Sequence, residues 1–119
     1  MDNTRVFNLL FSSIYPLYIQ KVEKKGKTKE EVDLILFWLT GYDHEGLRKQ
    51  IDNKNNLLTF FEEAPSLNAN AYKINGVICG YRVEDIEDKL MQKIRYMDKL
   101  IDELARGKKL DSILKKKKK

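Results

Sequence analysis

Apolar positions along this chain recur mostly at helical spacing, and Gly, Pro and polar clusters cut them into short segments. Residues 1–11 read as an extended or loosely packed lead-in. Val6, Phe7, Leu9, Leu10 and Phe11 are too apolar to stand free in water, so they are expected to pack on the body. A first helix is expected to start after Ser12 or Ser13, either of which can cap it, with Pro16 in its first turn. Ile14, Tyr18 and Val22, with Leu17 between them, mark its apolar face, and Gly26 stops it.

The second helix has the clearest start, since Thr28 and Glu31 make a Thr-x-x-Glu capping box. Val32, Ile35, Leu36 and Leu39 form its core stripe, while Leu34, Phe37 and Trp38 make its second half apolar on nearly all sides. That profile suits a central helix ending at Gly41. A buried strand over 34–39 competes, but the capping box and the upstream period favour helix. Asp43 caps a short third helix carrying Leu47 and Ile51, which Gly46 weakens. A fourth helix over Leu57–Glu63 turns Phe60 and Phe61 inward and ends at Pro65.

Asn75-Gly76 lies between Tyr72-Lys73-Ile74 and Val77-Ile78-Cys79, the pattern of a type I′ hairpin. A two-stranded hairpin over about 72–79 is therefore expected, packed on the helices because two strands are marginal alone. The last long helix runs from Glu84 or Asp88 to Arg106, with acids at its start and bases at its end. Leu90, Ile94, Met97, Ile101 and Leu104 are its core positions, and Asp102 and Arg106 form an i,i+4 pair. After Gly107, Leu110, Ile113 and Leu114 allow one more amphipathic turn. The fold expected is mainly α: four to five helices in one domain over 1–114 with one small hairpin, and a disordered lysine tail over 115–119.

Composition changes this picture in two places. Of 23 basic residues, five are Lys115, Lys116, Lys117, Lys118 and Lys119, and the other 18 balance the 18 acidic ones. The net charge of +5 thus belongs to the tail and not to a basic face of the fold. Such a tail can bind nucleic acid weakly and without sequence preference, but it has no aromatic residue on which bases could stack. The single cysteine, Cys79, permits no intrachain disulfide. With no signal-like start and no apolar run longer than Leu34–Leu39, the expected location is the cytoplasm, with no membrane partner.

Candidate chemistry is sparse. His44 is the lone histidine and reads as an exposed first-turn residue, and Cys79 reads as a buried, inert thiol on the second strand. The carboxylates from Glu84 to Asp88 lack the pattern of a calcium loop and suit a helix start, and Gly76-x-x-x-Gly80 is no phosphate loop. No metal ligand set, cofactor motif or catalytic constellation emerges, so the balance leans against an enzyme. Trp38, Tyr42, Arg82, Arg95 and Tyr96 are the candidate binding residues, because Trp, Tyr and Arg are enriched at binding hot spots. Arg95 borders the core position Ile94, and Arg82 leaves the hairpin end, so the two can converge on an anion or on Asp98.

Five stretches also occur together: Ile14-Tyr15-Pro16-Leu17-Tyr18, Trp38-Leu39-Thr40-Gly41-Tyr42, Ala64-Pro65-Ser66-Leu67-Asn68, Gly76-Val77-Ile78-Cys79-Gly80, and the run from Ile94 to Ala105. In this order they resemble the uncharacterised bacterial family designated domain of unknown function 2200, over about residues 12–114. The resemblance implies a small, single-domain prokaryotic cytosolic protein. It implies no activity and carries over no catalytic or binding residue. The family tends to have proline where Lys89 and Ala69 stand here, which leaves the start of the last helix less sharply defined, with Asp88 still available as a cap.

Two functional readings follow. One is a non-enzymatic binding or protein-interaction module, whose partner is another protein or a second copy of this chain through the last helix. The other is a small-ligand or enzyme-like pocket between the hairpin and that helix, using Arg82, Arg95, Asp98 and Tyr96. The pocket reading requires Arg82 and Arg95 to share a face.

Overall fold

The capping box anticipated at Thr28 is present. In the computed structural model, which describes residues 3–115, Thr28 Oγ1 accepts from the Glu31 amide at 3.2 Å, and Glu31 Oε1 accepts from the Thr28 amide at 3.2 Å. Helix α3 (Lys29–Thr40) starts there, and Val32, Ile35, Leu36 and Leu39 are fully buried along it. It keeps one wet edge, since Leu34 is exposed and Phe37 and Trp38 are half-buried. Gly41 ends the helix at φ +79°, where a Cβ would lie 3.0 Å from the Ser66 amide nitrogen. Both the backbone conformation and the loop packed on it therefore require glycine.

The N-terminal lead-in is partly helical, with α1 over Thr4–Phe7. Val6 and Phe7 lie against the core, and Phe11 enters it, but Leu9 and Leu10 stay exposed, against expectation. Helix α2 (Phe11–Glu23) begins before either serine, and no side chain caps it. Its start is fixed instead by backbone pairing. The Phe11 amide donates to the Asn55 carbonyl and the Leu57 amide to the Leu9 carbonyl, both at 2.9 Å, across an antiparallel bridge between Leu10 and Asn56. Pro16 consequently lies inside the helix and not in its first turn. The buried face is Phe11, Tyr15, Tyr18 and Val22, a stripe that leaves Ile14 half-buried and Leu17 60% exposed.

Asp43 caps α4 (His44–Asp52) through the Gly46 amide at 2.7 Å, and Asn56 caps α5 (Leu57–Glu62) through the Thr59 amide at 2.9 Å. Phe60 and Phe61 turn inward as expected.

The hairpin exists but sits further along the chain than the Asn-Gly signal indicates. Strand β1 (Val77–Ile78) pairs antiparallel with β2 (Tyr81–Arg82), and the turn is Cys79-Gly80. Both turn residues have positive φ, +53° and +83°, which is what a two-residue type I′ turn demands. Tyr72 and Lys73 belong to a 3-10 turn over Ala71–Lys73, and Gly76, at φ +105°, bends the chain into β1. Cys79 is therefore an exposed turn-tip residue and not a buried strand residue. Gly80 serves the turn and approaches no other segment.

Asp88 caps α6 (Lys89–Ala105) through the Met91 amide at 2.9 Å. Met91, Ile94, Met97, Leu100, Ile101 and Leu104 are buried along it, with Leu90 at the margin. This face is filled from within by α2, α3, α5 and β1, so the helix repeat builds the core of this chain. Gly107 breaks the helix at φ +98°, and α7 (Leu110–Lys115) returns Ile113 to the core against α3 and α6. The tail residues Lys116–Lys119 lie outside the described residues.

Candidate functional site

Burying α2 places two tyrosine hydroxyls inside the protein, and each meets a carboxylate. Tyr18 donates to Asp98 Oδ1 at 2.5 Å. The other oxygen of Asp98 accepts from Arg95 Nη1 at 2.8 Å, and the same guanidinium nitrogen lies 3.3 Å from Cys79 Sγ. A chain of contacts thus runs from α2 through α6 to the hairpin tip and holds Arg95 in place. The Arg95 side chain is only 16% exposed, and its Nε–H is buried with no hydrogen-bond partner among the described residues. A guanidinium donor left unpaired in this way costs free energy unless something beyond those residues accepts from it.

Arg95 lines a cleft of about 460 Å³ between the hairpin and the start of α6. Arg82 lines the same cleft from β2, so the two arginines share a face. Arg82 is more open, 63% exposed, with Glu84 at 3.6 Å. Its neighbour Tyr81, also exposed, lines the cleft too. Glu84 also accepts from the Gly76 amide at 3.0 Å, and these backbone hydrogen bonds, with Arg82 beside it, hold its carboxyl below the usual value. Val6, Ile86 and Met91 contribute apolar surface to the lining, and Asn3 and the carboxylates of Asp85, Glu87 and Asp88 line it too.

The other candidate residues do not join this site. Trp38 is half-buried on α3, where its carbonyl accepts from Asn68 Nδ2 at 3.1 Å. Tyr42 is buried beneath α5, its hydroxyl donating to the Phe60 carbonyl at 2.6 Å. Tyr96 is buried too. Asp98 acts through Arg95 and does not line the cleft.

A second cleft, of about 660 Å³, opens between α2, α3 and α4 over a buried acid that the hydrophobic pattern does not reveal. Asp33, 2% exposed, accepts from the Tyr15 hydroxyl on one oxygen and from Lys29 Nζ at 2.9 Å on the other. Its signal in the sequence is a carboxylate inside the run Val32-Asp33-Leu34-Ile35, four residues after a lysine. Both oxygens are engaged, which makes this a tie between α2 and α3. His44, at the mouth, is an exposed first-turn residue whose ring lies edge-on to Phe37 at 4.8 Å. Among the described residues no group of His, Cys, Asp and Glu is arranged to hold a metal. No helix there is long and apolar enough to cross a membrane.

These buried phenols make alkaline stability a test of the packing. Burial raises Tyr15, Tyr18, Tyr42 and Tyr96 above the ordinary value of 10.0. Asp33 adds to the rise at Tyr15, which reaches about 12, as Asp98 does at Tyr18 and Glu63 at Tyr42. Lys29 is also held above its ordinary value by the hydrogen bond to Asp33. For a group whose pKa is higher folded than unfolded, the stabilisation is complete below the unfolded value and is lost as pH rises toward the folded one. The urea midpoint should therefore fall progressively from pH 10 to about 12. Phenolate absorbance from these four residues should appear with unfolding. A midpoint that holds from pH 9 to pH 11.5 would contradict the packing described.

Comparison with known proteins places the chain among uncharacterised ones. Residues 5–115 match a family described as uncharacterized protein conserved in bacteria, domain of unknown function 2200. The crystal structure of the uncharacterized protein SP1917 is similar over 100% of this chain and 97% of that one, with 39% sequence identity and a TM-score of 0.92. No curated protein matches.

Proposed function

We propose that this chain, which belongs to the family of uncharacterised bacterial proteins designated domain of unknown function 2200, is a non-enzymatic binding module. Its binding site is the cleft between the hairpin and α6, and its ligand presents an anionic group to Arg95 and Arg82. The observation that carries this reading is that Arg95, whose buried Nε–H has no partner among the described residues, lines a cleft that a second arginine also lines. An incoming carboxylate or phosphate would satisfy that donor with a charge-assisted hydrogen bond. The cleft volume falls within the usual range for small-molecule sites, and Val6, Ile86 and Met91 add apolar surface to its polar lining.

The test is an NMR titration of the protein with acetate, succinate, N-acetyl-leucine and inorganic phosphate. At least one probe is expected to shift amides at 81–88, Met91 and Arg95, and not those around Trp38. Arg82→Gln, at an exposed side chain, should weaken binding about three- to tenfold, and Arg95→Gln by more than about tenfold, as expected for hydrogen bonds to charged groups. The reading is overturned if none of the four probes perturbs the cleft, or if both variants, folded by the same spectra, bind as the parent does.

A further inference from the structure

The cleft offers more than an anion site, because its charges are sorted by position. Asp88, Met91 and Arg95 are spaced by three and four residues, so they follow one another along a single face of α6. At the rise of a helix, the acid at its cap and the arginine two turns on are roughly 10 Å apart, with the methionine between them. Asp85 and Glu87 come just before Asp88 in the chain, and Val6, Ile86 and Arg82 line the same cleft.

Resting on the binding reading above, we infer that the ligand is dipolar: a short peptide with a free ammonium at the acidic end, a free carboxylate at the arginine end and an apolar side chain between. Three features point to this class. The carboxylates outnumber the arginines in the cleft, so a purely anionic ligand would meet net repulsion there. A dipolar ligand converts that repulsion into an ion pair. Val6, Ile86 and Met91 give the body of the ligand apolar surface to cover, which supplies affinity that two partly solvated ion pairs would not. The length also selects. Extended chain advances about 3.3–3.6 Å per residue, so the two ends of a tripeptide can reach both ends of the cleft. A free amino acid carries both charges on one α-carbon and cannot.

The ends are not equivalent in the protein. Asp88 already spends one oxygen on the Met91 amide, and Asp85 and Glu87 are exposed, so the ammonium end is open and solvated. Arg95 is buried and fixed through Asp98 to Tyr18, so the carboxylate end is rigid. Blocking the carboxylate should therefore cost more than blocking the ammonium.

The experiment is calorimetric titration of the full chain with the tripeptide Ala-Leu-Ala, its N-acetylated form, its C-terminal amide, and leucine. Ala-Leu-Ala is expected to bind, the N-acetyl form about tenfold more weakly, and the amide and leucine weaker still. The double variant Asp85→Asn/Glu87→Gln, at two exposed side chains, should weaken Ala-Leu-Ala and, by removing the repulsion, strengthen the N-acetyl form. If the N-acetyl form binds as tightly as Ala-Leu-Ala, the dipolar class is wrong while the anion site stands. If the amide binds as tightly as Ala-Leu-Ala, both fail. If no peptide binds at millimolar concentration while the simple anions still shift the cleft, the peptide inference alone is overturned.

Discussion

Phe60→Ala is expected to destabilise the protein by about 3–5 kcal/mol, the usual cost of deleting a fully buried phenylalanine. Phe60 is 0% exposed, and its ring joins three others. It stacks on Phe11 with centroids 4.2 Å apart, tilts against Tyr42 at 5.0 Å and meets Phe61 edge-on at 5.1 Å. Each such pair adds about 0.5–1.5 kcal/mol beyond area burial. The same residue's carbonyl accepts the Tyr42 hydroxyl, so the ring fixes both the side chain and the backbone of α5. A helix of six residues has no stability of its own and stays in place only through these contacts. Small domains carry about 5–15 kcal/mol in total, so the variant should lose a large part of its margin. Urea unfolding followed by circular dichroism would show a lower midpoint with an unchanged slope. Leu17→Ala, at a side chain 60% exposed, serves as the control and should change stability by no more than about 0.5 kcal/mol. A Phe60→Ala loss as small as that of the control would contradict the aromatic cluster.

The elements that the sequence shows clearly are those whose boundaries are local. Helix α3 is bounded by a side chain that bonds its own first turn and by a glycine in the left-handed conformation, and both can be read within a few residues. Helix α2 starts where the chain pairs with Asn55–Leu57, more than forty residues away, so the nearby serines mislead. The hairpin shows the same limit. Asn75-Gly76 and Cys79-Gly80 both offer a glycine, and local preference favours the first. The fold takes the second, because it lets Ile74 and Ile78 both enter the core, at the cost of a cysteine with positive φ. Two buried isoleucines outweigh a turn preference worth about 1 kcal/mol.

The site was legible in the same uneven way. Arg95 beside a core position and Arg82 at a hairpin end can be placed from spacing alone, but the two do not converge on Asp98: Arg95 pairs with it, and Arg82 lies by Glu84. Trp38, Tyr42 and Tyr96 share the residue types of a binding surface, but residue type does not separate an aromatic in a core from one in an interface. Tyr42 and Tyr96 are taken up by the core, and Trp38 packs against its edge. The unpartnered Nε–H is a property of packing in three dimensions that no periodicity reveals.

Asp33 is the position where a single polar change should cost most. Asp33→Ala is expected to lose about 3 kcal/mol, the lower end of the range for breaking a buried charge pair. The lower end applies because Lys29 is 51% exposed and can return its ammonium to water, whereas the Tyr15 hydroxyl cannot leave the interior. Tyr15→Phe removes the donor and leaves the buried carboxylate one bond short, at an expected cost of about 1.5–3 kcal/mol. The two losses should not add. Once Asp33 is gone, the tyrosine hydroxyl is itself an unsatisfied group, so removing it as well should restore part of the stability. The double variant Tyr15→Phe/Asp33→Ala, which removes both polar partners, should therefore be more stable than Asp33→Ala alone. A thermal or urea double-mutant cycle measures this directly. Additive losses would mean that Tyr15 and Asp33 do not act together and that the link between α2 and α3 is apolar packing alone.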